Sequence, residues 1–118
     1  ELYKTSKDND IDLDTVCGSG STPLDIYGIR HSKDLDFLYC GQKTFDIKTE
    51  TLANHDSELA YYPYSKQEII INPKYHFYYH GVKFITLDIL YKMKQKRHEN
   101  PKDVNDCDLM KKFFDIKI

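Results

Sequence analysis

The chain has 118 residues, of which 40% are hydrophobic and 31% charged, and its formal net charge is −2. This length predicts one domain with one sizeable core. The small net charge excludes a general electrostatic attraction to nucleic acids or anionic membranes, so nucleic acid is not an expected partner. No apolar run approaches the ~20 residues of a membrane helix, and no membrane partner is expected either.

Two features of the chain indicate its setting. The three cysteines are widely spaced and form no C-x-x-C pair, which favours free thiols in a reducing compartment and hence a cytoplasmic location. The first residue is Glu1 rather than Met, and no signal-peptide pattern follows it. We therefore expect a processed chain or a domain from a longer chain, whose other domains would be its partners. Residues 1–16 are expected to form a polar N-terminal segment that is loop-like to about residue 14, and residues 17–118 the domain itself.

Alternating side chains predict strands in the first half of the chain. Residues 24–29 alternate between apolar and polar side chains, and so do residues 34–39. A turn at residues 40–42 leads into residues 44–48, and these three segments together predict an antiparallel meander. Residues 49–67 have no strong period and are predicted to be loop with a short helix.

Further strands are predicted after this loop. Residues 68–72 are a short β-branched run, and residues 76–79 and 82–85 lie on either side of Gly81. A glycine between two such runs is typical of a hairpin turn, so all three segments are predicted to be strands.

The last third has the pattern of two helices. Thr86 is a predicted N-cap of a helix that runs to about Arg97. Asn100 and Pro101 provide a second start, with Asn as the cap and Pro at the first helical position. Apolar residues then return at helical spacing to Phe114. The predicted fold is therefore α+β, with a mixed or antiparallel sheet of four to five strands and helices packed on one side.

Two carboxylates in the second predicted strand are candidate metal ligands. Asp34 and Asp36 alternate with Leu35 and Phe37, so both carboxylates lie on one strand face, about 7 Å apart. Mg²⁺ (or Mn²⁺) prefers such oxygen ligands and is often shared between carboxylates and substrate phosphates. The same four-residue pattern at residues 10–13 shows that the pattern alone is not specific, because a surface strand often carries Asp on its solvent face.

A Gly-Ser turn upstream gives the carboxylates a context. Gly20 and Ser21 are followed by 12 residues and then by Asp34-Leu-Asp36-Phe. This order resembles the signature of the polymerase-β-like nucleotidyltransferase superfamily. The resemblance implies that the backbone of the Gly-Ser turn contacts nucleotide phosphates, and that Asp34 and Asp36 are catalytic and bind two divalent metals. A second alignment places the turn at Gly28 instead, with Arg30 and Ser32 near the phosphates, and the sequence does not choose between the two.

The C-terminal part extends the resemblance. The residues that carry it are Lys94, Arg97, Lys102, Asp103 and Asp106. Their order is similar to the tail of small bacterial nucleotidyltransferase-like proteins, some of which are linked to surface-polysaccharide and sugar-phosphate assembly. The resemblance implies that Lys94 steadies phosphate charge. Independently of it, the two acids at the start of the last helix are predicted to stabilise the helix N-terminus and to pair with Lys94 or Arg97.

The superfamily usually has a third metal carboxylate on a later strand. Asp46 fits the local pattern, and Glu68 is the alternative. The expected function is transfer of a nucleotidyl group from a nucleoside triphosphate to an unknown hydroxyl or phosphate acceptor, in sugar-phosphate or capsule and glycan assembly. The alternative is a non-catalytic binding or scaffolding domain of the same fold within a larger glycan-assembly protein, and the missing clear third acid favours it.

Overall fold

The computed structural model describes residues 2–98 and 101–117, with the backbone alone at 116 and 117. Within these residues the helices are α1 (Leu2–Asp8), α2 (Thr22–Ile26), α3 (Lys66–Ile71), α4 (Leu87–Arg97) and α5 (Pro101–Lys117). The strands are β1 (Val16–Ser19), β2 (Leu35–Tyr39), β3 (Leu52–Asn54), β4 (His76–Tyr79) and β5 (Val82–Ile85). Two 3-10 helices lie at Leu13–Thr15 and Asp56–Tyr61.

The strands form one mixed sheet in the order β3-β2-β1-β5-β4. The central strand β1 is antiparallel to β2 and parallel to β5, while β3 is parallel to β2 and β4 antiparallel to β5. The predicted α+β class with a mixed sheet of four to five strands is confirmed. The two long helices, α4 and α5, follow the last strand in the sequence.

The strands β1, β2 and β5 each place side chains in two separate apolar clusters, one on each face of the sheet. Cys17 and Leu38 belong to the cluster that packs against α4 and α5. Val16 and Phe37 belong to the other cluster, which also contains Leu2 of α1. The first of these two faces, which we call the helix face, is also the face to which Asp36 belongs, because Asp36 and Leu38 are two residues apart on β2.

The sequence prediction is confirmed for the strands β2, β4 and β5 and for the helices α4 and α5. The residues around Gly81 form a hairpin, and that glycine has the positive φ of +77° that such a turn requires. The last helix begins at Pro101 as predicted, while its predicted cap, Asn100, lies outside the described residues. None of the described helices is both long and apolar enough to cross a bilayer.

Three predicted strands are wrong. Residues 24–29 do not form a strand, because Pro23 starts the helix α2 in the first turn after Ser21. Residues 44–48 form no strand in the described structure, apart from one isolated bridge between Lys48 and Ala53. The predicted meander therefore has one of its three strands.

The third wrong strand, at residues 68–72, is the helix α3. The Ser65 hydroxyl accepts a hydrogen bond from the Glu68 backbone amide at 3.2 Å, and this cap outweighs the strand preference of the isoleucines. Ile69 and Ile70 are buried in the core, and Ile71 is exposed.

The N-terminal segment is also more structured than its polar sequence indicates. Residues 2–8 form the helix α1 rather than a loop. Leu2 and Ile11 are buried in the same cluster as Phe37 and Phe84. The segment thus covers the face of the sheet opposite to the helix face.

Candidate metal and phosphate site

A polar cavity of about 360 Å³ lies where the start of α2, the loop before β2, β2 itself and the start of α5 meet. Its walls consist of polar and charged side chains: Ser21, Arg30, His31, Ser32, Lys33, Asp34, Asp36 and Lys102. Five of the predicted site residues, namely Ser21, Arg30, Ser32, Asp34 and Asp36, are therefore brought together in one cavity.

The sheet register fixes the position of Asp36. This residue pairs with Ser19 on β1 and with Ala53 on β3. Asp34 directly precedes β2, and its backbone oxygen accepts hydrogen bonds from the Thr22 hydroxyl at 3.3 Å and the Ser32 hydroxyl at 3.1 Å. The loop that carries Asp34 is thus tied to the start of α2, next to the Gly-Ser turn.

The glycine of that turn packs directly on Asp36. Gly20 has a φ of +63°, and a Cβ atom added to it would overlap the carboxylate of Asp36. Gly28 also has a positive φ, +73°, but no atom of the described residues lies within 4 Å of its added Cβ, and it does not line the cavity. The first alignment of the turn is therefore the one that brings a Gly-Ser pair to the carboxylates. Of the second alignment, only Arg30 and Ser32 reach the cavity.

We expect Gly20→Ala to be more damaging than Gly28→Ala. Both substitutions place alanine at a positive φ, which costs about 1 kcal/mol of the free energy of unfolding. At Gly20 the new methyl group must also displace the Asp36 carboxylate, so the cost should rise to about 2–3 kcal/mol. Urea unfolding of the two variants measures the difference, and equal losses would show that Gly20 does not contact Asp36.

The hydroxyl of Ser21 is held by two cations. It accepts a hydrogen bond from Arg30 Nη2 at 2.8 Å and one from Lys94 Nζ at 3.4 Å. The Arg30 guanidinium also forms two short bonds to Asp106, from Nε at 2.6 Å and from Nη2 at 2.8 Å. A bidentate pair of this kind fixes the orientation of the guanidinium plane.

Lys94 does not reach the cavity, which corrects its predicted role as a phosphate contact. It is 2% exposed, and its Nζ lies 3.0 Å from Asp106 and 3.6 Å from Asp103. Arg97 in turn forms a bidentate pair with Asp103, at 3.0 Å and 2.6 Å. The sequence prediction that the two acids of α5 pair with Lys94 or Arg97 is confirmed. The side of α4 that carries Lys94 packs against α5. Lys94 therefore contacts the site through Ser21 and Asp106.

We call Arg30, Lys94, Arg97, Asp103 and Asp106 the ionic cluster. Burial by itself would raise the pKa of Asp106, but the hydrogen bonds and charges of Arg30 and Lys94 outweigh burial and lower that pKa. Hydrogen bonding to Asp106 likewise raises the pKa of Arg30. The cluster has three cations and two anions, and it joins α4 and α5 to the Gly-Ser turn.

The two candidates for a third metal carboxylate lie elsewhere. Asp46 lines a separate hollow beside Tyr39 and Asn54. Glu68 is an exposed residue in the first turn of α3 rather than a strand residue. The strand positions next to Asp36 hold Ser19 and Ala53. Among the described residues, no group of three or more His, Cys, Asp or Glu side chains is placed to hold a metal ion.

No family model, curated protein or solved structure matches this chain.

Sequence reasoning gave no binding role to two cations of the cavity. Lys33 lies in the loop before β2, and Lys102 lies in the first turn of α5. Lys102 was part of the tail pattern, but a pattern of order and spacing does not show that the start of α5 folds back to the β1–α2 turn. No local signal indicates the role of Lys33.

The donor set of the cavity fits a hard divalent cation that is shared with a phosphate. Asp34 and Asp36 supply two carboxylates, which is the number that Mg²⁺ commonly takes from a protein when phosphate oxygens complete its ligands. The set does not provide the three carboxylates that would hold two metals by themselves. One metal, held jointly with the ligand, is what these side chains can bind.

Proposed function

We propose that the cavity binds a nucleoside triphosphate with Mg²⁺ (or Mn²⁺), and that the chain transfers the nucleotidyl group to a hydroxyl or phosphate acceptor, with cleavage of the α–β phosphoanhydride bond and release of pyrophosphate. The observation that carries this proposal is the position of Ser21, Asp34 and Asp36 in one cavity, with Gly20 packed on Asp36. The two parts of the motif are separated by 12 residues in the sequence, and their contact in the fold supports a common role.

The side chains of the cavity have separate roles in this reaction. Asp34 and Asp36 would hold the metal, which supplies neutralisation of phosphate charge and activation of the acceptor oxygen. Ser21 accepts hydrogen bonds from both Arg30 and Lys94, so its acceptor sites are used and its own proton is left to donate to a phosphate oxygen. Arg30 is held by Asp106, which largely offsets its charge, and it fixes the position of the Ser21 hydroxyl.

We expect Asp36→Asn to abolish turnover without unfolding the domain. The amide keeps the shape of the side chain but removes the charge that holds the metal, and the loss of such a ligand should lower the rate by at least about a hundredfold. The measurement is conversion of α-labelled triphosphates to monophosphate or labelled acceptor, with folding checked by circular dichroism. Asp46→Asn is the matched control, because Asp46 lines the other hollow. Full turnover by Asp36→Asn would contradict the assignment.

A non-catalytic binding domain is the second candidate, and one observation favours it. Ala53 stands beside Asp36 on β3, where a third carboxylate would complete a two-metal site. In that case the wild type would bind Mg²⁺ and triphosphate but would form neither labelled acceptor nor monophosphate, and would release no pyrophosphate, in the same assay. The resemblance of the tail suggests that either activity serves surface-polysaccharide or sugar-phosphate assembly, within a longer chain. The three free cysteines support a reducing compartment such as the cytoplasm.

A further inference from the structure

We infer that this site recognises the polyphosphate chain of its ligand and not the base, and that Lys33 and Lys102 are the cations that bind this chain. The inference rests on the proposed function, which names the ligand as a nucleoside triphosphate. It adds which part of that ligand the protein binds and which side chains bind it.

The described walls of the cavity provide little surface for stacking a base. Each described residue that lines it is polar or charged, and its one ring, the imidazole of His31, is 80% exposed and lies 3.4 Å from the Asp25 carboxylate. Bases are commonly bound by stacking on aromatic rings, which contributes ~1–3 kcal/mol per base. The most exposed tyrosine, Tyr78, belongs to β4 at the far edge of the sheet, and none of the other exposed tyrosines, Tyr3, Tyr27 and Tyr79, lines this cavity.

The size of the cavity agrees with a phosphate ligand. Its volume of about 360 Å³ is at the lower end of the ~300–1,000 Å³ of pockets that enclose small ligands. Phosphate groups with their metal would fill this space, and the nucleoside would extend into solvent. A ligand held in this way is bound with similar affinity whatever its base.

The two lysines are the cations of the cavity whose charge is available to a ligand. Arg30 is already paired with Asp106 at 2.6 Å. Lys33 and Lys102 are exposed, and neither forms an ion pair with another described side chain within 4.0 Å. They lie on different elements, the loop before β2 and the first turn of α5, so a polyphosphate chain between them would be contacted from two sides. Ammonium groups suit this role because phosphate recognition by Lys depends on charge rather than on bidentate geometry.

The experiment is calorimetric titration of the full chain, in Mg²⁺ buffer, with inorganic tripolyphosphate and with ATP, GTP, CTP and UTP. We expect the five dissociation constants to agree within about threefold, since all five ligands share the tripolyphosphate. A triphosphate that binds at least tenfold more tightly than the other three, or ATP binding without tripolyphosphate binding, would overturn the inference and leave the proposed function intact. Failure of all five ligands to bind would overturn the proposed function itself.

Two variants test the named side chains. Lys33→Ala and Lys102→Ala should each weaken tripolyphosphate binding about fivefold, the size expected for a partly screened charge contact. Lys112→Ala is the matched control, because Lys112 is exposed on the same helix as Lys102 and does not line the cavity. If the Lys33→Ala/Lys102→Ala double variant binds tripolyphosphate as tightly as the wild type, these lysines are not the phosphate contacts.

Discussion

Asp106→Asn should lower the free energy of unfolding by about 3–5 kcal/mol, the cost of removing one partner from a buried ion pair. Asp106 is 0% exposed and is the carboxylate that Arg30 and Lys94 share. Asparagine in its place would leave those two cations facing a neutral amide in a water-poor interior. Urea unfolding monitored by circular dichroism measures the loss, and Asp108→Asn, an exposed change two residues further along α5, should alter stability by less than about 0.5 kcal/mol.

Lys94→Met should lower the free energy of unfolding less than Asp106→Asn does, because it leaves the charges of the ionic cluster balanced. Removal of Lys94 leaves two cations and two anions as the bidentate pairs Arg30–Asp106 and Arg97–Asp103. Methionine also fills a similar volume, so the loss should be below about 1.5 kcal/mol. A loss as large as that of Asp106→Asn would show that the cluster depends on Lys94 rather than on the two Arg–Asp pairs.

Gly18→Ala should be the most damaging of the glycine substitutions, with a loss of about 3 kcal/mol or more in the free energy of unfolding. Gly18 lies on the central strand and pairs with Phe84 of β5. An added Cβ would overlap the Phe84 ring, which is itself buried, so the core would have to move to make room. The expected measurement is again urea unfolding, compared with the wild type.

A double-mutant cycle separates this clash from other effects of alanine at Gly18. Phe84→Leu removes ring atoms and should cost stability in the wild type, but less in the Gly18→Ala background, because the smaller side chain makes room for the methyl group. We expect a favourable coupling of at least about 1 kcal/mol. Strictly additive losses would show that the Phe84 ring is not what excludes a side chain from this position.

The sequence predicts best those elements whose pattern and ends agree. The helix α4 begins directly after the predicted N-cap position, Thr86, and buries one apolar face, while the side chains of β2 alternate between the two faces of the sheet. The strand prediction for residues 24–29 was wrong because four alternating residues also fit one turn of helix, and Pro23 in the first turn favours the helix. The strand β3 has only three residues, Leu52–Asn54, too few for any period to appear.

The residues of the site, too, were predictable only where a local sequence pattern marks them. Asp34, Asp36 and Ser21 could be found because each belongs to a local pattern, and the antiparallel pairing of β1 with β2 then brings them together. Lys94 was given the wrong role because the spacing of a helix does not say which neighbour covers a given face. Asp46 was misplaced for a similar reason, since the loop after β2 carries it to the hollow beside Tyr39.

Calorimetric titration of Mg·ATP into the wild type and into the Asp34→Asn/Asp36→Asn double variant tests the metal and phosphate site most directly. We expect wild-type binding that requires Mg²⁺ and weakens at least about a hundredfold in the double variant, because both carboxylates that would hold the metal are gone. Circular dichroism should show that the double variant remains folded. Equal binding by the two proteins, or no binding by a folded wild type, would contradict the account and identify Asp34 and Asp36 as ordinary polar residues at one end of a surface-accessible strand.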